Sequence, residues 1–102
     1  MYIFNTTFSV QNSSIEEWEQ WMQKTYLPTF IGILPDVKYK LFELMTSRQE
    51  DSTNYSCQWL CSEPDELEVI NKYSDILLNN LGDAMGERCL HFSSILKQHH
   101  FE

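Results

Sequence analysis

The fold is decided by residues 2–10, which read Tyr-Ile-Phe-Asn-Thr-Thr-Phe-Ser-Val. Aromatic and β-branched residues nearly alternate with polar ones here, which is the pattern of a β-strand with one buried face. Three later stretches have a similar character, at residues 36–46, 54–62 and 88–97. We therefore predict a four-stranded sheet whose first strand begins almost at the first residue.

An amphipathic helix is predicted between the first two strands. Its buried stripe consists of four residues at helical spacing, namely Ile15, Trp18, Met22 and Tyr26. Ser13 with Glu16 has the spacing of a capping box, and Ser14 with Glu17 repeats it one residue later. Pro28 lacks an amide hydrogen, so we expect the helix to bend or end near it.

A second amphipathic helix is predicted between the last two strands. Ser62 is the expected cap, and Pro64 follows in the first turn, where proline is tolerated. Six apolar residues form the stripe that this helix should bury: Leu67, Ile70, Tyr73, Leu77, Leu81 and Met85.

The element order β-α-β-β-α-β predicts an α+β fold, the ferredoxin-like plait. Right-handed crossovers place the strands antiparallel in the order four, one, three, two, with both helices on one face. A chain of 102 residues predicts one domain, which we assign to residues 1–97, followed by a polar tail at residues 98–102.

The charge balance excludes two classes of partner. Fifteen acidic residues against seven basic ones give a formal net charge of −8, which phosphate backbones and anionic membranes repel. The opening residues lack the basic and apolar segments of a signal peptide. The three cysteines are an odd number, so we expect reduced thiols and a cytoplasmic protein.

The two faces of the predicted sheet differ in character. The expected core face carries large apolar side chains: Tyr2, Phe4, Phe8, Val10, Val37, Tyr39, Leu41, Tyr55, Cys57, Trp59, Cys61, Leu90, Phe92 and Leu96. The opposite face mixes polar groups with five apolar residues that a solvated face should not show together: Ile3, Phe42, Leu44, Leu60 and Ile95. We predict that these five contact a second copy in a homodimer. The alternative is an ordinary open-faced plait.

Several polar residues are candidates for a ligand site. Asn5, Gln58 and His91 lie on neighbouring predicted strands, where amides can bind an oxyanion and an imidazole can move protons. With Thr7 and Tyr26 they form the candidate ligand-binding set. The alternative is an interfacial hydrogen-bond network that fixes the register of the dimer.

Other constellations carry less weight. Cys89 and His91 are two residues apart on one strand, which suggests a Cys-His-Asn site with Asn5, but side chains at that spacing start about 7 Å apart. No quartet of metal ligands is present, so no metal is predicted. Trp18, Trp21 and Trp59 could stack on a flat ligand, but their helical or strand spacing favours the core.

Three segments resemble a known bacterial family: the opening strand, the Glu-Trp-Glu-Gln-Trp-Met of the first helix with the Leu-Pro that follows it, and the Tyr-Ser-Cys-Gln-Trp of the third strand. That family is domain of unknown function 4286, which is placed among the dimeric α+β barrels. The resemblance implies the fold and a dimer but no activity. Relatives often have His before Leu-Pro, where this chain has Tyr26.

Two functions follow from these observations. The first is a small-molecule-binding or cofactor-free enzyme domain, with the ligand between the sheet and the first helix. Haem-degrading members of the wider fold pair a strand-one Asn, matched by Asn5, with a His near the second helix, which this chain lacks. No cofactor is therefore expected. The second function is a non-catalytic dimerisation or protein-interaction module.

Overall fold

The computed structural model describes residues 1–46 and 50–101. Its four strands are Tyr2–Gln11 (β1), Lys38–Glu43 (β2), Ser52–Cys61 (β3) and Cys89–Lys97 (β4). They form one sheet in the order β2-β3-β1-β4, and every neighbouring pair is antiparallel. Read from the opposite edge, this is the order four, one, three, two. Strands β2 and β4 are the edges, and β1 lies inside the sheet.

The first helical segment, residues 15–33, has three parts. Helix α1 spans Ile15–Trp21, a π-helical turn spans Met22–Tyr26, and helix α2 spans Leu27–Ile33. Pro28 lies in the first turn of α2 and does not end the segment. The Leu27 amide donates to the Met22 carbonyl, five residues back, so the backbone is already widened where the proline follows.

The second helix, α3, spans Pro64–Met85 and packs on β1 and β4. A 3₁₀ turn at Gly86–Arg88 then leads into β4, and Gly86 adopts the positive φ that suits glycine. Residues 98–101 have no regular structure, and the last residue of the expected tail, 102, lies outside the described residues. Among the described residues no helix is both long and apolar enough to cross a membrane.

The core lies between the sheet and the helices. Its largest fully buried side chains come from β1, β3, the first helical segment and α3: Phe8, Val10, Trp18, Met22, Tyr26, Phe30, Cys57, Trp59, Cys61, Ile70 and Leu81. Burial of each large apolar side chain stabilises the fold by about 1.5–3 kcal/mol. This core face is called the helix-covered face below, and its reverse is called the open face.

The assignment of β4 to the two faces was wrong. Val10 pairs with Cys89, and Phe8 pairs with His91. The side chains of Cys89 and His91 therefore point to the helix-covered face, as those of Val10 and Phe8 do. Cys89 is 2% exposed. Three expected core residues of β4 point the other way: Leu90, Phe92 and Leu96. Hydrophobicity misled the prediction because the larger apolar side chains of this edge strand lie on its open face.

The expected burial of β2 was also wrong. Tyr39 and Leu41 do lie on the helix-covered face, opposite Trp59 and Cys57 of β3. They are nevertheless 38% and 41% exposed, because β2 is an edge strand at the side of the first helical segment. This incomplete cover leaves a groove that becomes important below.

The helix caps differ from those expected. Neither Ser13 nor Ser14 caps the first helix, which begins after a 3₁₀ turn with no side-chain cap. Ser14 instead accepts a hydrogen bond from Arg88, which also pairs with Glu17 through both guanidinium nitrogens at 3.1 and 3.0 Å. The capping box lies at α3, where Glu63 rather than Ser62 is the cap, paired with Glu66.

Candidate functional site

The structure divides the predicted ligand-binding residues between two faces. Asn5 pairs with Gln58 and Thr7 pairs with Ser56, so these residues share the open face. Tyr26 is fully buried under the first helical segment. His91 lies on the helix-covered face, paired with Phe8. The expected convergence of Asn5, Gln58 and His91 was therefore wrong.

The polar centre of the open face is bonded internally. The Ser56 hydroxyl donates to the Asn5 carbonyl oxygen at 2.5 Å, and the Asn5 amide donates to the Thr7 hydroxyl at 3.3 Å. A partly buried amide with its own protein partners has less to offer a ligand. The arrangement suits a polar centre that sets strand or partner register.

The rest of the open face is apolar and includes residues that were not predicted there. Phe92 is 64% exposed and Leu90 is 60% exposed, and Phe42 and Leu96 are also exposed. The candidate interface residues Ile3, Leu44 and Leu60 are partly exposed. Ile95, the fifth candidate, pairs with Phe4 and so lies toward the helix-covered side. Side chains of this size in solvent are the mark of an interaction surface.

A groove lies on the other side of the sheet, between the first helical segment and the β2 edge. Its volume is about 480 Å³. Nine residues line it: Trp18, Glu19, Met22, Gln23, Leu27, Tyr39, Leu41, Glu43 and Tyr55. We call this the β2 groove. It is the size of a small-molecule site and combines an apolar lining with a few polar groups.

The aromatic residues of the β2 groove are held in a fixed arrangement. The ring of Trp18 stacks on the ring of Tyr55 with centroids 4.4 Å apart and planes 23° apart. On the opposite wall, Tyr39 packs against Trp59 with centroids 5.2 Å apart. Trp18 is buried by this stacking, so the apolar surface that faces the groove comes mainly from Tyr39 and Leu41. Flat apolar walls favour a planar or aliphatic ligand.

The π-helical turn lies beside this groove. Met22 begins the turn, Gln23 lies within it and Leu27 follows it, and all three line the groove. Five-residue π turns are rare in proteins and occur frequently at functional sites. The turn also directs Tyr26 inward, where its hydroxyl accepts a hydrogen bond from the Trp59 indole at 3.1 Å. Burial raises the pKa of Tyr26, so it stays a neutral structural residue.

The alternative Cys-His-Asn site is not formed. Cys89 and His91 share the helix-covered face, whereas Asn5 lies on the open face. Burial also raises the pKa of the Cys89 thiol to about 11, so the thiolate that such chemistry needs is absent at neutral pH. Within residues 1–46 and 50–101, no group of three or more metal-binding side chains is close enough to hold a metal ion.

The residue pattern contained no direct signal for the β2 groove. Trp18, Met22, Tyr39, Leu41 and Tyr55 have the spacing of core residues, and that is where they were predicted. The strand order does place β2 at an edge, but helical and strand periodicity cannot show how far a helix layer extends over an edge strand. The groove depends on that offset and therefore appeared only in the structure.

These features define an α+β protein with a four-stranded antiparallel sheet, helices on one face and a groove at one edge. The chain belongs to the family described as Domain of unknown function (DUF4286), whose model matches residues 1–99. The resemblance seen in the sequence is thereby confirmed. No curated protein matches the chain.

Two solved structures share the fold. The de novo designed protein Foldit4 aligns with a TM-score of 0.67 at 7% identity, over 96% of this chain and 98% of that one. The protein Atu4242 from Agrobacterium tumefaciens aligns with a TM-score of 0.61 at 12% identity, over 99% of this chain and 96% of that one. At these identities the likeness concerns the fold alone.

Proposed function

We propose that this protein is a homodimer that binds a small molecule in the β2 groove of each protomer. The observation that carries the proposal is the groove itself, a cleft of about 480 Å³ walled by aromatic side chains beside a π-helical turn. Its place between the sheet and the first helical segment is the one expected for a ligand from the sequence. The residues that line the groove are not the predicted ligand-binding residues, of which only Tyr26 lies nearby.

The shape of the β2 groove supports binding by an apolar body. Five apolar or aromatic residues of the lining are Trp18, Met22, Leu27, Tyr39 and Leu41, of which Trp18 and Met22 are buried. Tyr39 and Leu41 are partly exposed in the protein alone, so a ligand that covers them removes apolar surface from water. Each square ångström removed is worth about 25 cal/mol. The gain is available without rearrangement of the core.

The chemistry of the lining favours binding over catalysis. Two carboxylates and two phenols are present among the nine lining residues, which include no thiol and no imidazole. A nucleophile activated by an adjacent base is therefore missing from the described lining. We accordingly propose a binding protein of the cytoplasm, and assign no reaction to it.

The proposal is tested with a neutral fluorescent probe, N-phenyl-1-naphthylamine, whose emission rises in apolar surroundings. Leu41→Trp places a larger side chain in the groove at a position that is 41% exposed, so the fold should tolerate it. Ile76→Trp is the matched control, because Ile76 is exposed on α3, away from the groove. We expect the probe to brighten with the wild type and with the control, and not with Leu41→Trp.

An equal signal from all three proteins would place the probe elsewhere and overturn the proposal. Loss of the signal in Phe92→Ser, but not in Leu41→Trp, would assign the probe to the open face. Circular dichroism of each variant checks that its fold is retained.

The second candidate function is a dimerisation or protein-interaction module, and the open face favours it. Its exposed apolar residues border a polar centre whose groups bond to one another. Such a surface is suited to pairing with a second copy, since a two-fold interface uses the same patch on both protomers. In this account the dimer is the scaffold, and the β2 groove on the reverse of the sheet stays available.

A further inference from the structure

The outer edge of β4 directs backbone groups away from the sheet. The Gln98 amide donates to the Met1 carbonyl at 2.9 Å, and this pair continues the register of β1 with β4. Hydrogen-bonded pairs alternate along antiparallel strands, so the even-numbered residues of β4 direct their backbone groups to β1. His91, Ser93 and Ile95 therefore direct theirs outward. No strand among the described residues lies on that side.

The pairing of β1 with β3 gives the same alternation. The Asn12 amide donates to the Asp51 carbonyl at 2.9 Å, in the register of those two strands. Even-numbered residues of β1 therefore face β3, and odd-numbered ones face β4. Each odd-numbered residue of β1 pairs with an even-numbered residue of β4, which agrees with the bond from Gln98. Both ends of β1 thus identify the same outward residues on β4.

The two edges of the sheet differ in how they discourage pairing. The six residues of β2 include three charged ones, Lys38, Lys40 and Glu43. Charged side chains, lysine above all, keep an edge strand from pairing with another chain. The longer β4 carries no Asp, Glu, Lys or Arg before Lys97, its last residue. Ser93 and Ile95 are exposed even on the helix-covered face, so β4 is the edge suited to an added strand.

We propose that β4 pairs with β4 of a second copy, antiparallel and about a two-fold axis at Ser93. Ser93 is the midpoint of Cys89–Lys97 and has outward backbone groups, so this axis aligns the full length of both strands. The two β2 grooves stay open, because β2 is the opposite edge of each sheet. The inference rests on the proposed homodimer and names the surface that the two copies share.

The side chains of β4 are compatible with this register. On the open face, the exposed Leu90 comes opposite Leu96 of the partner subunit, and Phe92 comes opposite the small Ser94 of the partner subunit. Cross-strand apolar pairs stabilise a sheet by about 0.2–1 kcal/mol each. The pairing accounts for the exposed apolar residues on β4, since it gives them apolar or small neighbours.

Charges at the ends of the strand are also complementary. In this register Lys97 lies opposite Cys89 of the partner subunit, and Glu87 of the partner subunit is two positions further along. Both charged side chains are exposed in the single copy. Diagonal neighbours of opposite charge attract, and the two-fold axis repeats the pair at the other end. No two like charges of β4 come opposite one another.

A pair of cysteine variants tests the axis. Hydrogen-bonded antiparallel partners have Cα atoms about 5.5 Å apart, within reach of a disulfide, so Ser93→Cys should form a crosslinked dimer with copper phenanthroline. Ser94→Cys is the matched control, because its two copies would be ~8 Å apart in this register, which is too far for a disulfide. We expect Ser93→Cys to crosslink at least about tenfold faster. The wild type is the blank, since its three cysteines are buried.

Hydrogen exchange in the wild type supplies a second measurement that needs no variant. In the dimer the amides of His91, Ser93 and Ile95 should exchange at least about tenfold more slowly than after dilution to monomer. The amides of Phe92 and Ser94 should be protected in both states, because they bond to β1. The inference requires both the crosslinking result and the exchange result.

The outcomes separate this inference from the proposed function. A dimer in which Ser94→Cys crosslinks as fast as Ser93→Cys or faster overturns the β4 pairing and leaves the homodimer in place. A dimer in which neither variant crosslinks, or in which the outward amides exchange at one rate in both states, does the same. A monomeric wild type in light scattering overturns both the pairing and the homodimer. Ligand binding in the β2 groove is judged separately by the fluorescent probe.

Discussion

Glu66 shows how one side chain starts a helix. Its carboxylate accepts hydrogen bonds from the backbone amides of Ser62 and Glu63, at 2.9 and 3.1 Å, and from the Ser62 hydroxyl at 3.1 Å. These amides have no partner within the helix, so the carboxylate supplies one. The sequence placed the cap of α3 at Ser62, one residue early, because serine is the commoner cap and periodicity does not resolve single positions.

Removal of the Glu66 carboxylate should weaken the start of α3. Glu66→Ala is expected to lower the free energy of unfolding by about 1 kcal/mol. The amide hydrogen bonds lower the pKa of Glu66 below its ordinary value of 4.5, so its contribution is present above that pH and is lost as the pH falls through the folded-state pKa. Urea unfolding against pH measures both effects.

The control for this prediction is Glu68→Ala, which alters an exposed carboxylate in the same helix. It should change stability by less than about 0.5 kcal/mol. A similar loss in both variants, or a Glu66 effect that does not shrink in acid, would contradict the assigned role of Glu66.

The three cysteines should be free thiols that are unreactive in the folded protein. All three are buried, and burial raises the pKa of Cys57 to about 12 and that of Cys61 and Cys89 to about 11. The reactive species is the thiolate. Ellman's reagent should therefore titrate three thiols in guanidinium and react slowly with the native protein, whereas fast native reaction would show that the burial is wrong.

The same thiols predict a loss of stability in alkali. Their pKa is higher in the folded state than the ordinary value of 9.0, so their contribution is complete below that pH. It is lost as the pH rises through about 11. The melting temperature should fall over this range, and less steeply in Cys57→Ala after correction for its lower starting stability. Equal slopes would contradict the prediction.

At the scale of elements, β4 shows that a strand pattern predicts the position of a strand but not which of its faces is buried. The sequence predicted the strand at residues 88–97, and the structure has it at Cys89–Lys97. Its two faces were exchanged, because both carry apolar residues and the alternation fits either assignment. Only the register against β1 resolves the ambiguity, and register depends on tertiary pairing.

The β4 register can be tested by a double-mutant cycle. The hydroxyls of Thr6 and Ser93 lie 2.9 Å apart, on the helix-covered face. Thr6→Val and Ser93→Ala should each cost about 1 kcal/mol, and the double variant should cost clearly less than their sum. Strictly additive effects would mean that the two hydroxyls are not in contact, as in the exchanged assignment.

The first helical segment shows a similar limit of sequence reasoning. Pro28 was expected to bend or end the helix, and the segment instead continues to Ile33 after a π-helical turn. A proline in the sequence shows which backbone hydrogen bond is lost, but it does not show how the helix adjusts to that loss. The π turn, and the part of the β2 groove that it lines, were therefore not predicted from the sequence.

At the scale of the whole molecule, the element order sufficed for the layered architecture. Four strands and two helical segments in the order β-α-β-β-α-β have few arrangements that satisfy right-handed crossovers. The extent of the helix layer was not predictable in this way, because it depends on how side chains of residues 15–33 pack over β3 and β2. The candidate site shows the same limit. A ligand site between the sheet and the first helix was expected, but the residues that line the β2 groove were not.

The open face predicts a dimer in solution. Phe92 and Leu90 are large apolar residues in solvent on this face, and Phe42 lies at its other edge. Light scattering at micromolar concentration should give twice the mass of the 12.1 kDa chain. Phe92→Ser with Leu90→Ser should give a folded monomer or weaken the dimer, and Phe42→Asp should dissociate or unfold the protein.

Ile76→Ser is the control for the dimer, since Ile76 is an equally exposed apolar residue on α3. This variant should remain dimeric. A monomeric wild type would contradict the predicted dimer. Dissociation by Ile76→Ser would place the dimer interface on the helices. A monomeric wild type would leave the β2 groove unaffected, since the groove lies on the other side of the sheet from Phe92.

The binding claim is tested most directly by a crystal structure of the protein with N-phenyl-1-naphthylamine. We predict density for the probe against Tyr39 and Leu41, beside Leu27 and Tyr55. Density on the open face, or a β2 groove filled by protein side chains of a second protomer, would contradict the claim.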